Sequence, residues 1–221
     1  MTTPEDGSTR RHGPQVAAIV LAAGVSRRFG AANKLLVEVE GRALVARVVS
    51  AVLKSRARPV VVVTGHEAER VRAALAGADV TFVHNARYQE GMGGSVATGI
   101  RALGAESDGA LVCLGDMPET DAALLDRLIA AFEGAGGAAV VVPTTPSGEQ
   151  RNPVLWPRGR FADLAALEGE VGAKRLLKGA TADLLRVAVE ETAQFVDIDT
   201  EQELARYRSD PPGSSRGGRQ P

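Results

Sequence analysis

Cysteine, net charge and long apolar runs are all scarce in this chain. Cys113 is the only cysteine in 221 residues, so neither a disulfide framework nor a cysteine-rich metal site can form within one chain. His66 and His84 have no second histidine or cysteine at ligand spacing, which argues against zinc. A formal net charge of -1 gives no global attraction to polyanions, so nucleic-acid binding through bulk charge is disfavoured. The N-terminal MTTPEDGSTRRHGPQ lacks the apolar segment of a signal peptide, and no apolar run is long enough to cross a bilayer. A soluble cytoplasmic protein without membrane contact is expected. Internal repeats are absent, and so are both familiar phosphate fingerprints: Gly24 and Gly30 are misspaced for G-x-G-x-x-G, and Lys34 stands too far from Gly30 for G-x-x-x-x-G-K-[ST].

What is present is an alternation. Short apolar runs at Val16–Leu21, Pro59–Thr64, Asp79–His84, Gly109–Leu114 and Ala138–Pro143 predict buried strands. Between them, Leu44, Val45, Val48, Val49, Val52 and Leu53 share one helical face, and Leu124, Leu125, Leu128, Ile129 and Phe132 share another. This order predicts an α/β fold with a mostly parallel sheet covered on both faces, and ligands at the carboxyl ends of the strands. After Pro143 the rhythm breaks: RNPVLWPRGRF predicts an added subregion walling a cleft, followed by the helix candidates FADLAAL and GAKRLLK and the strand candidate LLRVAV. The segment VDIDTEQELARY is expected to return to the main sheet as strand and helix. Tails over 1–14 and 209–221 have too little apolar surface to offset ordering entropy, leaving one domain over 15–208.

The polar residues that follow strands are the candidates for chemistry. In LAAGVSRRFGAANKLL (Leu21 to Leu36), glycines let backbone N–H groups approach an anion, Ser26 adds a hydroxyl, and Arg27, Arg28 and Lys34 add positive charge. Solvated arginines on an ordinary loop fit the same residues. In LGDMPETD, Asp116 stands where an oxygen-ligated Mg²⁺ would sit, or caps a turn, while Asp121 reads as a helix N-cap. Asp199 in VDIDTEQEL could complete a metal pair with Asp116, with Asp197 as the fallback, or it belongs to a helix start in which Thr200 and Glu203 form a capping box. The glycines before Ser95 open a helix whose N–H groups suit an anion or a base carbonyl, and Asn85 can donate to and accept from a base edge. Arg158 and Arg160 beside Trp156 fit either an acceptor's phosphate and ring or a packed tryptophan with surface arginines.

Taken in order, LAAGVSRRFGAANKLL, VVTGHEAERV, NARYQEGMGGSVATGI, LGDMP, NPVLWPRGRF and VDIDTEQEL resemble the MobA-like NTP transferases, most closely the molybdenum cofactor cytidylyltransferases. The resemblance implies a three-layer, GT-A-like (Rossmann-like) nucleotidyltransferase fold that joins a nucleoside monophosphate from an NTP to a phosphorylated acceptor, here molybdopterin, with Mg²⁺ and release of pyrophosphate. Leu21, Ala22, Ala23, Gly24 and Ser26 would hold the nucleotide, with Thr64, Asn85, Gly94 and Ser95 along the same side of the cleft. Arg28 and Lys34 would contact phosphates, Asp116 and Asp199 the metal, and Asn152 and Arg158 the acceptor. Ala22-Ala23-Gly24 in place of the LAGG reading implies CTP rather than GTP. A transient contact with the molybdoenzyme or chaperone that receives the product follows from the same resemblance. Arg151-Asn152-Pro153 departs from the Gly-His or Gly-Asn that often precedes Pro-Val-Leu, and Glu170-Val171-Gly172 keeps the acidic-glycine pair only loosely. A guanylyltransferase, a transferase for another phosphorylated acceptor and a non-catalytic cofactor chaperone therefore stay open.

Overall fold

The computed structural model describes residues 13–30, 32–170, 173–179, 183–190, 195–196 and 198–209. Both expected tails fall almost wholly outside these residues, as do Asp197 and the side chain of Arg27. In chain order the elements are β1 (Val16–Ala22), a short antiparallel pair β2 (Glu38–Val39) and β3 (Arg42–Ala43), α1 (Leu44–Lys54), β4 (Val60–Thr64), α2 (Ala68–Ala74) and β5 (Thr81–His84). There follow α3 (Met92–Arg101), β6 (Gly109–Leu114), α4 (Ala122–Gly134), β7 (Val140–Thr144), β8 (Val154–Pro157), α5 (Phe161–Ala165), α6 (Lys174–Gly179), β9 (Leu184–Ala188) and α7 (Glu201–Ser209).

The main sheet has the order β5-β4-β1-β6-β8-β7-β9, with β6 at its centre and β1 paired in parallel to β4 and β6. Every residue of β1, β4 and β7 is buried, which is why their sequences run apolar without alternation. One face is covered by α1 and α4 through Val45, Val48, Val49, Leu124, Leu128 and Phe132; the other is covered by α3 and α5 through Val96, Ile100 and Leu164. The result is the expected three-layer arrangement.

Two segments differ from expectation. RNPVLWP does not form an outlying wall: Val154–Pro157 is a central strand, antiparallel to both β6 and β7. Its four residues are too few to show a period, and prolines at 153 and 157 disguise it as a loop. It follows β7 through a tight turn in which Thr145 donates its N–H to the Glu149 carbonyl. The second difference lies at the end of the chain. Among the described residues, the segment before α7 forms no strand; the Ile198 N–H donates to the Asp116 carbonyl at 3.2 Å, and a helix begins at once. A capping box starts that helix, with Glu203 accepting from the Thr200 N–H at 2.9 Å and donating its own N–H to the Thr200 hydroxyl at 3.2 Å. Phe29, Val39, Leu44, Ile198, Leu204 and Tyr207 form a small separate core that docks α7.

Candidate functional site

β1 and β6 lie side by side and both end at the same rim, so the loops that follow them meet. The contact is close: Gly115 donates its N–H to the Leu21 carbonyl at 3.0 Å, and a Cβ at Gly115 would stand 2.8 Å from that oxygen. Only glycine lets Asp116 follow β6 this near to the first loop. That loop turns through Ser26 in the left-handed region, φ 53°, a conformation a non-glycine residue holds only where its surroundings fix it. Here the fixing contact is the Lys34 N–H, which donates to the Ser26 hydroxyl at 3.3 Å. Asn33 caps the next turn by accepting from the Leu35 N–H at 3.1 Å, and so sets the direction of Lys34.

Lys34 is the centre of the site. Its Nζ lies 2.5 Å from Asp116 Oδ2 and 2.5 Å from Asp199 Oδ1, and Arg28 reaches the other Asp199 oxygen at 3.0 Å. Burial alone would favour the neutral amine, but the Asp116 and Asp199 carboxylates outweigh it and hold the Lys34 pKa above its usual value. Burial pushes Asp199 upward in turn, and the Lys34 hydrogen bond and charge together with Arg28 pull it below the usual carboxylate value. Asp116 Oδ1 is buried and has no hydrogen-bond partner within the protein. Two carboxylates with an uncommitted buried oxygen suit an oxygen-seeking divalent ion completed by phosphate oxygens and water. Among the described residues no group of three or more histidine, cysteine, aspartate or glutamate side chains gathers, so a thiolate- or imidazole-seeking metal has no site there.

These groups line one side of a cavity of about 760 Å³. Leu21, Ala23, Gly24, Ser26, Arg28, Lys34, Ser95, Asp116, Asn152 and Asp199 face it. Five candidates do not, Arg158 among them. Ala22 is fully buried, and Thr64 is buried with its hydroxyl on the Val83 carbonyl. Asn85 donates to the Ser95 hydroxyl at 3.0 Å and accepts from the Arg87 N–H at 3.0 Å, and so supports Ser95 from behind the cavity. Gly94 lies against Asn85, close enough that a Cβ would come within 3.4 Å of its amide nitrogen. The start of α3 is also less open than the glycines suggested, because the Gly93 N–H donates to the Gly169 carbonyl at 3.0 Å.

Arg158 is a clear correction. It sits at the opposite rim, where β6 begins and β8 ends, donating to the Ser107 carbonyl at 2.6 Å and stacking near Phe161. An acceptor in the cavity is out of its reach. The residues missed on the far wall are Val112, Val154, Ala173, Arg175 and Leu177, which line it with Trp156. Trp156 is fully buried and its indole N–H has no partner within the protein. Arg175 is exposed at the wall of the cavity. Only the lone tryptophan had drawn notice in the sequence, and β8 had to be recognised before its neighbours could be placed.

Comparison with known proteins follows the same lines. The MobA-like NTP transferase domain matches residues 18–187. The chain belongs to that family. Among curated proteins, the bifunctional protein GlmU of Burkholderia multivorans is 38% identical over 135 residues, 60% of this chain and 29% of that protein. The chain thus spans less than a third of the length of the curated relatives it matches. Among solved structures, Rv0371c from Mycobacterium tuberculosis H37Rv superposes with TM-score 0.75 at 25% identity, covering 89% of this chain and 99% of that one. The same protein has been solved in complex with manganese, with TM-score 0.72 at 23% identity over 90% of this chain and 100% of that one. A nucleotidyl transferase from Methanothermobacter gives TM-score 0.74 at 26% identity over 89% and 97%. The fold of this family member is therefore that of a nucleotidyltransferase. No helix among the described residues is long and apolar enough to cross a membrane.

Proposed function

We propose that the protein transfers CMP from CTP to the phosphate of a molybdopterin-type acceptor, with Mg²⁺, releasing pyrophosphate. The observation that carries the reading is the Lys34 ammonium held between Asp116 and Asp199 at the rim of a cavity whose near wall is the Leu21–Lys34 loop. Asp116 and Asp199 would hold the divalent ion, which supplies charge neutralisation on the phosphates. The manganese complex of the related Rv0371c supports a divalent ion in this fold.

An acceptor phosphate oxygen attacks the α-phosphorus in line, forming one P–O bond as the bond to the bridging oxygen breaks and pyrophosphate leaves with that electron pair. The attacking oxygen is already anionic, so the site has no need of a general base. Lys34 exchanges a carboxylate partner for a phosphate oxygen, and Arg28, with its side chain largely in solvent, swings between Asp199 and the phosphate tail. Ser26 and the loop backbone align the nucleotide, which turns the transfer into a positioning problem. The far wall suits the acceptor: Val112, Val154 and Trp156 make it apolar, and Arg175 offers a cation. CTP is assigned from Ala22-Ala23-Gly24, and the molybdopterin acceptor from the resemblance described above.

The test is pyrophosphate release by purified protein with Mg²⁺ and molybdenum-loaded molybdopterin, comparing CTP, GTP, ATP and UTP. Release that needs both the pterin and CTP supports cytidylyl transfer. Release with GTP instead replaces CTP in this reading, and release only with other phosphorylated acceptors replaces the pterin. CTP binding with no release from any acceptor favours the chaperone reading.

A further inference from the structure

The two carboxylates of the site come from segments that the sheet does not fix relative to one another. Asp116 follows β6, whereas Asp199 lies on the link into α7, beyond the last strand. Their spacing is set by the Lys34 ammonium that both carboxylates share and by contacts between those two segments. One is the Ile198 N–H on the Asp116 carbonyl. The other is a side-chain bond: the Tyr207 hydroxyl of α7 donates to Glu119, three residues past Asp116. The same Glu119 Oε1 lies 3.7 Å from Arg47 of α1, an ion-pair separation, and Arg47 also holds Glu40 at 2.8 Å.

The surroundings of Tyr207 make its hydroxyl informative. The residue is 4% exposed and packs among Phe29, Val39, Leu44, Ile198 and Leu204, a setting that a phenylalanine would fill equally well. A buried hydroxyl gains little for stability unless it is paired, so its value here lies in the partner it reaches. Arg47 shows the same bias, since its Nε is buried without a partner while its terminal nitrogens serve Glu119 and Glu40. Through this chain of contacts α1, the Asp116 loop and α7 are tied at one point outside the cavity.

We propose that Tyr207, Glu119 and Arg47 are positioning residues that set the spacing of the Asp116 and Asp199 carboxylates, and with it the geometry of the divalent-ion site around Lys34. The proposal rests on the reading that these two carboxylates hold the ion. Residues that orient metal ligands from behind change metal affinity or activity by about 10–100-fold when altered.

The experiment uses Mn²⁺ as the probe, measuring its affinity for nucleotide-free protein by electron paramagnetic resonance, together with kcat and KM for CTP from pyrophosphate release and the melting temperature. Tyr207→Phe keeps the packed ring and is expected to weaken Mn²⁺ binding about tenfold or more and lower kcat similarly, with KM for CTP and the melting temperature little changed. Arg208→Ala removes a different tether of α7, its bond to the Glu38 carbonyl at 2.6 Å, and is expected to lower the melting temperature without shifting Mn²⁺ affinity. Wild-type Mn²⁺ affinity and kcat in Tyr207→Phe overturn the proposal, and so does equal weakening in Arg208→Ala, which would make helix docking itself the cause. Asp116→Asn separates the two levels. If it loses Mn²⁺ while Tyr207→Phe does not, only the positioning role fails; if it keeps full affinity, or the wild type binds none, the carboxylate reading falls and takes this one with it.

Discussion

Lys34 and Asp199 are 165 residues apart in sequence and 2.5 Å apart in the fold, with the ammonium of one closing on the carboxylate of the other. The site is one of the places where these distant segments are joined, and the Arg208 bond to the Glu38 carbonyl is another.

Replacing Lys34 by alanine is therefore expected to do more than remove a cation. Asp116 and Asp199 lose their shared partner, and turnover should fall about a hundredfold or more, in line with the loss of one preorganised electrostatic stabiliser. Steady-state pyrophosphate release measures it, and a rate within a few-fold of wild type would remove Lys34 from the mechanism.

Gly115→Ala places a methyl group against the Leu21 carbonyl, 2.8 Å away, where neither backbone can yield without moving Asp116 or the first loop. A loss of about 1–3 kcal/mol in denaturant unfolding is expected, accompanied by reduced turnover. Unchanged stability would show that the two loops are more pliant than their packing suggests.

Tyr207 gives a pH signature. Burial and then the Glu119 carboxylate push its phenol pKa above the ordinary value near 10.0. A raised folded-state pKa means that its contribution to stability is complete below the ordinary value and is lost as pH rises towards the raised one. Unfolding measured from pH 8 to 11 should decline more steeply in wild type than in Tyr207→Phe, and absorbance at about 295 nm should show a tyrosine that resists ionisation until the protein unfolds. Parallel alkaline limbs would contradict the assignment.

Cys113, 1% exposed near the carboxyl end of β6, has its thiol pushed up to about 12 by burial. It should be inert to a disulfide reagent at neutral pH in the native state and react stoichiometrically in denaturant. Rapid native labelling would mean that the central strand opens.

The parts of the fold that could be read from sequence were those whose signal is local. β1, β4, β6 and β7 announce themselves because a strand buried on both faces has no polar alternation, and Asp121 and the Thr200–Glu203 box announce their helices because caps act over three residues. β8 was illegible because its strand character comes from pairing with β6 and β7, not from its own four residues. The site divides similarly. Residues that follow strands could be nominated from the architecture, and Asp199 could be paired with Asp116, but the meeting of Asp199 with Lys34 depends on how α7 docks and was not anticipated. Asn85 and Thr64 show the opposite limit, since a side chain's capacity to hydrogen bond is visible in sequence while the neighbour that consumes it is not.

The reversed direction of β8 gives the two halves of the cavity separate pedigrees within one chain. Because β8 runs against β6, its first residues, with Asn152 just before them, arrive at the rim where β1 and β6 finish, carried there by the tight turn after β7. Exchanging that single turn and strand between relatives would retool one wall of the cavity as a cassette, leaving the Leu21–Lys34 loop and its carboxylate partners in place.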